Sequence, residues 1–362
     1  MIEPSEVVRL YYEAVAKGGV PLGGKTKIGS HSAVTMITEQ TGLHRGTVRK
    51  YLQLGLDEPR PIKVPDFTVP ALPDPDEPAE VLIERRMQRF GQIKESREAR
   101  RLVRIPVNID GPFAILHMGD PHVDDDGCDW PTLKAHIDIA RKTPGMIAGN
   151  VGDLTNNWIG RLARLYAHQE TTARQAWKLA EWFIQSTPWL YLIGGNHDLW
   201  SGDGDPLKWI SRQAGVIYEP HGVRLGLALP GGRELRINSR HDFTGSSQWN
   251  PAHGPNKAAM LGPSDHIYIA GHRHVFGMNW HKQADGVWSC ALRVGSYKVY
   301  DGYADARGFP DHNLPAVVTM IRPDADEAGF VEVFKDVEFA ADYLTFARKR
   351  WESGKRIKGK AA

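Results

Sequence analysis

"PWLYLIGGNHD", residues 188–198, is an apolar run that breaks into two glycines and then into Asn196, His197 and Asp198. It reads as a buried strand that ends in side chains able to bind metals or move protons. Working outward, "FAILHMGD" (113–120), "GMIAGNVGD" (145–153) and "HIYIAGHRH" (266–274) have the same form, each closing in glycine plus Asp or His. Helix-patterned stretches lie between the first of these, "LKAHIDIARK" (133–142) and "RLARLYAHQETTARQAWKLAEWFIQS" (161–186). Strands alternating with helices predict a layered α/β core in which ligands gather where strands finish. Segments 221–243 and 286–335 read as hairpin-forming strands, so the expectation is sheets with helices outside. There is no internal repeat.

Composition bounds the function classes. The chain has 362 residues, 41% apolar and 24% charged, as expected of a globular protein with a substantial core. A net charge of +2 excludes a global field that would drive it onto nucleic acid or membrane. "MIEPSEVVRL" lacks a signal pattern, no apolar run approaches ~18 residues, and no membrane association is expected. Only Cys128 and Cys290 occur, without a CxxC pair, so a disulfide framework or cysteine zinc site is not expected and the cytoplasm is the natural compartment.

The chemistry lies at the strand ends. "GDPHV" places Asp120 and His122 two apart, on one face if the strand continues through them. "GDLTN" supplies Asp153, "GNHD" supplies Asn196 and His197, "SRHDF" supplies His241, and "GHRH" supplies His272 and His274. Singly, such residues are usually turn formers or hydrogen-bonded structural histidines. Together they fall where a shared rim is expected, beside glycines that permit close approach.

This order resembles the calcineurin-like metallophosphoesterases: DxH, GDxx(D/N), GNH(D/E), a lone His, then GHxH, over about residues 110–300. The resemblance implies an α/β fold, a layered β-sandwich flanked by helices. It implies one divalent metal held by Asp120, His122, Asp153 and His274, and a second by Asp153, Asn196, His241 and His272. His197 is then the general acid beside the leaving group. Two such ions clamp a phosphoryl group and lower the pKa of a water. The mixed ligand set suits Mn²⁺, Fe or Zn²⁺ better than Mg²⁺ or Ca²⁺, and Mn²⁺ is expected by resemblance. One departure is Asn156, where many monoester phosphatases of the family carry an Asp that supports the histidine. That amide leans the reading towards diesters. Arg273 reads as structural, with contact to a substrate phosphate as the alternative; His253 reads as a solvated histidine in a Gly/Pro-rich loop, with pocket lining as the alternative; and Asp124, Asp125 and Asp126 read as turn formers. Trp130, Trp158, Trp200 and Trp249 read as core, with base stacking as the alternative.

Ahead of this body, residues 57–78 contain seven prolines and read as a semi-rigid linker. Residues 79–104 read as a basic helix with eight Lys/Arg against four Asp/Glu. The head, 1–56, contains "AVTMITEQTGLHRGTVRKYLQ" (33–53). With Gly42 as the turn, Ile37, Leu43, Val48 and Tyr51 fall where a helix-turn-helix needs apolar contacts. The second helix then offers Arg45, Thr47, Arg49 and Lys50 to a DNA major groove. "TGLHRGTVRKYL" resembles the recognition half of bacterial and phage helix-turn-helix domains, although such domains also dock proteins. The metallophosphoesterase domain is expected over 105–340, and 341–362 as a C-terminal helix with a basic tail.

The leading expectation is a DNA phosphodiesterase, a nuclease in the broad manner of the SbcD-type repair enzymes and phage-like in its pairing of head and body. DNA is the expected partner, and a homodimer is compatible. The second reading is a phosphatase or phosphodiesterase for small nucleotides or phosphoproteins, with the head docking a partner. The third is a DNA-binding regulator with a vestigial metal site. Ligands at every expected position argue against that third reading.

Overall fold

The computed structural model describes residues 2–24, 31–56, 76–157, 169–199, 206–300 and 314–360, the last six of these and Leu56 by backbone alone. Most of the proline-rich linker, Trp158 and Trp200 lie outside the described residues. Two compact units are present, Met1–Ala79 and Glu80–Ala362.

The first unit is built on α1 (Pro4–Ala16), α2 (Ala33–Thr41) and α3 (Arg45–Leu56). Ser32 caps α2 by accepting from the Thr35 amide, and α2 stops at Gly42, whose φ of 69° a glycine adopts without strain. Val7, Leu10 and Ala14 of α1 bury against Val34 and Ile37 of α2 and Val48 and Leu52 of α3, with Leu43 and Tyr51 at the edge.

In the second unit, α4 (Ala79–Ala99) ends five residues short of the expected helix, and Val103–Pro106 is instead β1. The strands that follow are β2 (Phe113–Met118), β3 (Met146–Asn150), β4 (Trp189–Gly194), β5 (Tyr218–Pro220), β6 (Gly222–Ala228), β7 (Glu234–Arg240) and β8 (Ile267–Ala270). They are completed by β9 (Gly277–Lys282), β10 (Trp288–Arg293), β11 (Ala316–Ile321) and β12 (Val331–Phe334). Two six-stranded sheets form, in the orders β1-β6-β7-β8-β10-β9 and β12-β11-β2-β3-β4-β5. β6–β7 and β11–β12 are antiparallel pairs, as the sequence suggested.

Alternation along β2 shows the layering. Phe113 and Ile115 enter an apolar layer with Leu225, Ile237, Ile269 and Leu292 of the other sheet. Ala114, Leu116 and Met118 turn the other way, onto the helix side. There they meet Leu133 and Ile137 of α5 (Trp130–Lys142), Phe183 of α6 (Ala173–Gln185) and Leu344 of α9 (Val337–Lys360). Pro206–Gln213 is α7, and α8 (His253–Leu261) covers the outer face of the other sheet through Ala259 against Tyr268 and Ala291. The body is thus a β-sandwich between helices. Among the described residues no helix is long and apolar enough to cross a membrane.

β2, β3 and β4 run parallel, so their C-terminal ends share one edge of their sheet. β7 and β8 are likewise parallel in the other sheet. These are the five strands whose ends carry the candidate ligands.

Candidate metal centre

The chain past each strand end is a tight loop, and this corrects one expectation. β2 stops at Met118 and β8 at Ala270, so Asp120 and His122, and His272 and His274, do not face one way by strand alternation. They converge because the backbone turns left-handed: φ is 43° at His122, 49° at Asp153, 69° at His272 and 52° at His274. Only two other described non-glycine residues have positive φ, Asn157 and His221. Such conformations are costly and persist where the surroundings enforce them.

Two groups of ligand atoms result. Asp120, His122 and His274 form one, and Asp153, His241 and His272 the other, with the atoms of each group within 4.8 Å of one another. In the first, His122 Nε2 lies 3.3 Å from His274 Nε2, which is 3.3 Å from Asp120 Oδ2. In the second, His241 Nε2 lies 3.1 Å from both His272 Nδ1 and Asp153 Oδ2, and 2.9 Å from Asn196 Oδ1. The His272 amide donates to Asp120 Oδ2 at 2.8 Å, which ties the groups together. Asp153 falls in the second group, and its charge also acts on His122.

The donor set fits divalent cations. Donors about 2.1 Å from an ion at tetrahedral or octahedral angles sit roughly 3–3.5 Å apart. Imidazole nitrogens that face one another need a shared proton or a cation between them. Asp120 Oδ1 is buried without a hydrogen-bond partner, an acceptor left open in a polar site.

Glycines set how closely the loops approach. A Cβ at Gly195 would stand 2.1 Å from Asp153 Oδ1, and one at Gly271 would stand 2.1 Å from Asp120 Oδ1. Neither position tolerates a side chain while those carboxylates stay in place.

His197 has a defined orientation. Its Nδ1–H donates to the Asn156 carbonyl at 2.9 Å, which leaves Nε2 facing the ligands, 4.0 Å from Asp153 Oδ2. Its amide donates to Asp153 Oδ1 at 2.9 Å. The Asn156 side chain points elsewhere, donating to Asp125 Oδ2 at 2.7 Å, and its amide donates to Asp124 Oδ1 at 2.7 Å. The peptide carbonyl of Asn156, and not its side chain, therefore orients His197.

Charge is finely balanced. Burial works against a charged His241, but the Asp153 carboxylate outweighs it and raises the imidazole to about 10. Burial would likewise raise Asp153, but His241 holds it far below the usual carboxylate range. Burial, then the neighbouring histidine charges, hold His122 and His272 low and therefore neutral. A proton on His241 thus stands where a cation's charge would serve.

Several residues support the site in ways the sequence did not show. Asp198 is fully buried and accepts from the Leu154, Thr155 and Gly195 amides, pinning the Asp153 loop to the Asn196 loop. Asn150 donates to the Gly119 carbonyl and accepts from the Gly152 amide, spanning the first two loops. Arg293 is fully buried, pairs with Asp242 at 2.7 Å and donates to the carbonyls of Pro251 and Gly271. A signal existed: an arginine closing the apolar strand "WSCALR" must find a partner. Lys298 pairs with buried Asp125 at 3.0 Å.

Of the other candidates, Arg273 is exposed and lies 3.8 Å from Asp242, and His253 begins α8 instead of lying in a loop. Trp130 packs at the α5 layer, while Trp249 is 92% exposed. In the head, Arg45, Arg49 and Lys50 are exposed on α3 and Thr47 is half-buried.

No family model matches the chain, and no curated protein matches it. Solved structures do. Vacuolar Protein Sorting 29 from Cryptosporidium parvum is 14% identical, over 62% of this chain and 97% of its own, at a TM-score of 0.33. Vps29 from Chaetomium thermophilum is 16% identical, over 61% of this chain and 91% of its own, at 0.30. The calcineurin-like phosphoesterase YfkN from Bacillus subtilis is 12% identical, over 66% of this chain and 99% of its own, at 0.29. The class drawn from the coordinates is a two-sheet sandwich between helices, with two juxtaposed groups of metal-ligating side chains on strand-end loops.

Proposed function

We propose that this chain is a calcineurin-like metallophosphoesterase that hydrolyses DNA phosphodiester bonds, with its three-helix head acting as a DNA-binding helix-turn-helix. One observation carries the reading: seven residues from five strand ends, Asp120, His122, Asp153, Asn196, His241, His272 and His274, assemble into two adjoining ligand groups. Asp120, His122 and His274 would hold one divalent ion; Asp153, Asn196, His241 and His272 would hold the other. Mn²⁺ is the expected metal. When bound, such a pair supplies positive charge that draws a phosphoryl group and makes a water nucleophilic.

The protein's own residues do the rest. Asp153 accepts from the His197 amide, so one candidate ligand carboxylate also positions the acid. His197 turns Nε2 towards the site because Nδ1 is held by the Asn156 carbonyl. An imidazolium in that pose donates its Nε2 proton to the departing ester oxygen. The neutral orienting carbonyl and the absence of a carboxylate at 156 support a diester reading. Exposed Arg45, Arg49 and Lys50 on one helix support DNA as the substrate.

The test is to incubate Mn²⁺-loaded protein with supercoiled, linear and single-stranded DNA beside mono- and diester reporters. DNA cleavage, with loss of ~10³-fold or more in Asp153→Ala protein, is the expected outcome. Turnover of nucleotides or phosphoproteins with DNA left intact would move the assignment to the second reading.

A further inference from the structure

Helix α4 leaves its large apolar side chains exposed. Its 21 residues include none that is buried. Yet it carries Val81, Leu82, Ile83, Met87, Phe90 and Ile93, all exposed, with Met87 and Phe90 each 69% accessible. Leu82, Ile83, Arg86, Met87 and Phe90 line one shallow trough. These positions recur every three to four residues and so form a stripe along one side of the helix. Stripes of this kind mark interaction sites, since a solitary helix gains nothing from leaving them in water.

Charge identifies the occupant. Residues 76–84 hold Asp76, Glu77, Glu80 and Glu84 and no base, whereas residues 85–101 hold seven Lys/Arg against Glu95 and Glu98. The segment is therefore acidic at its start and basic at its end, with the apolar stripe across the middle. A second copy laid parallel would set like charge on like. Laid antiparallel, it sets each acidic end on a basic end and stripe on stripe, about a two-fold axis.

We propose that α4 is a self-association surface on which two copies of this chain pair antiparallel through Ile83, Met87 and Phe90. The pairing gives an assembly with two metal centres and two heads. Because no residue of α4 is itself buried, substitutions on it are expected to leave the fold intact.

Sedimentation velocity on the full chain tests the proposal. The wild type is expected to be a dimer, and Met87→Glu with Phe90→Glu a monomer with unchanged hydrolysis of a small diester. Glu80→Lys with Glu84→Lys, and separately Lys94→Glu with Arg97→Glu, should each lose the dimer; mixing the two proteins should restore it. Direction is read by oxidative cross-linking, which the buried Cys128 and Cys290 do not confuse. Met87→Cys, near the centre, should cross-link between copies. Ala79→Cys, on the same face at one end, should not. A wild type that stays monomeric at every concentration overturns the proposal. So does a dimer that survives the Met87 and Phe90 substitutions, or equal cross-linking through both cysteines, which means parallel packing. Monomers whose stripe is protected by residues 57–75, or only in the presence of DNA, overturn it too.

Discussion

The candidate metal rim and the basic face of α3 both gather ionisable side chains, in opposite circumstances. At the rim, Asp120, His122 and Asp153 are buried and cross-bonded, and His122 and Asp153 are held at positive φ. On α3, Arg45, Arg49 and Lys50 stand in solvent on a regular helix. A catalytic centre must be organised before its substrate arrives, so its geometry is already present in the free protein. A surface that reads a polyanion needs only charge at the right spacing, and the partner completes the arrangement. Substitutions should therefore act sharply at the rim and gradually on the head.

The largest effect of this contrast is expected at His197. His197→Ala should slow hydrolysis of a diester with an alkoxide leaving group ~10²–10⁴-fold. It should slow a nitrophenolate ester far less, because that leaving group hardly needs a proton. Comparing kcat on the two substrates measures the difference; equal losses would mean that His197 positions without donating.

A smaller, graded effect is expected on α3. Arg45→Ala, Arg49→Ala and Lys50→Ala together should weaken DNA binding and lower its dependence on log[salt] by roughly 0.9 per lost phosphate contact. Turnover of a small diester should not change. An unaltered salt slope would show that the head does not meet phosphate, and would leave protein docking as its role.

How far the sequence went follows the same division. The strand ends were legible because a short apolar run followed by Gly and a ligand is a local pattern, and "GNHD" and "GHRH" are unbroken in the chain. The way the pairs converge was not legible. Spacing by two suggested strand alternation, but positive φ at His122, His272 and His274 does the work, and that is imposed by contacts distant in sequence. Asn156 shows the same limit: the side chain was the readable feature, whereas its backbone carbonyl holds His197. Arg293 braces the loop after β7, through Asp242 and Pro251, and the loop after β8, through Gly271, so its partners emerge only when β7, β8 and β10 lie in one sheet.

The smallest effect sharpens the contrast from inside the sandwich. His117 is fully buried, its two ring nitrogens 2.7 Å from the Tyr191 hydroxyl and 2.8 Å from the Thr319 hydroxyl. Burial lowers its pKa from 6.5 to about 3. The folded protein thus keeps His117 neutral while the unfolded chain takes up a proton below pH 6.5. Stability from this group is complete above that value and falls as the pH drops towards 3, by about 2 kcal/mol at pH 5. His117→Gln keeps a donor and an acceptor but cannot titrate, so its stability should fall less between pH 6.5 and 5 than the wild type's. Denaturant unfolding at saturating Mn²⁺, which would hold the candidate ligand histidines in one state, isolates that difference. Parallel pH profiles for the two proteins would place the acid sensitivity at the rim and not in the core.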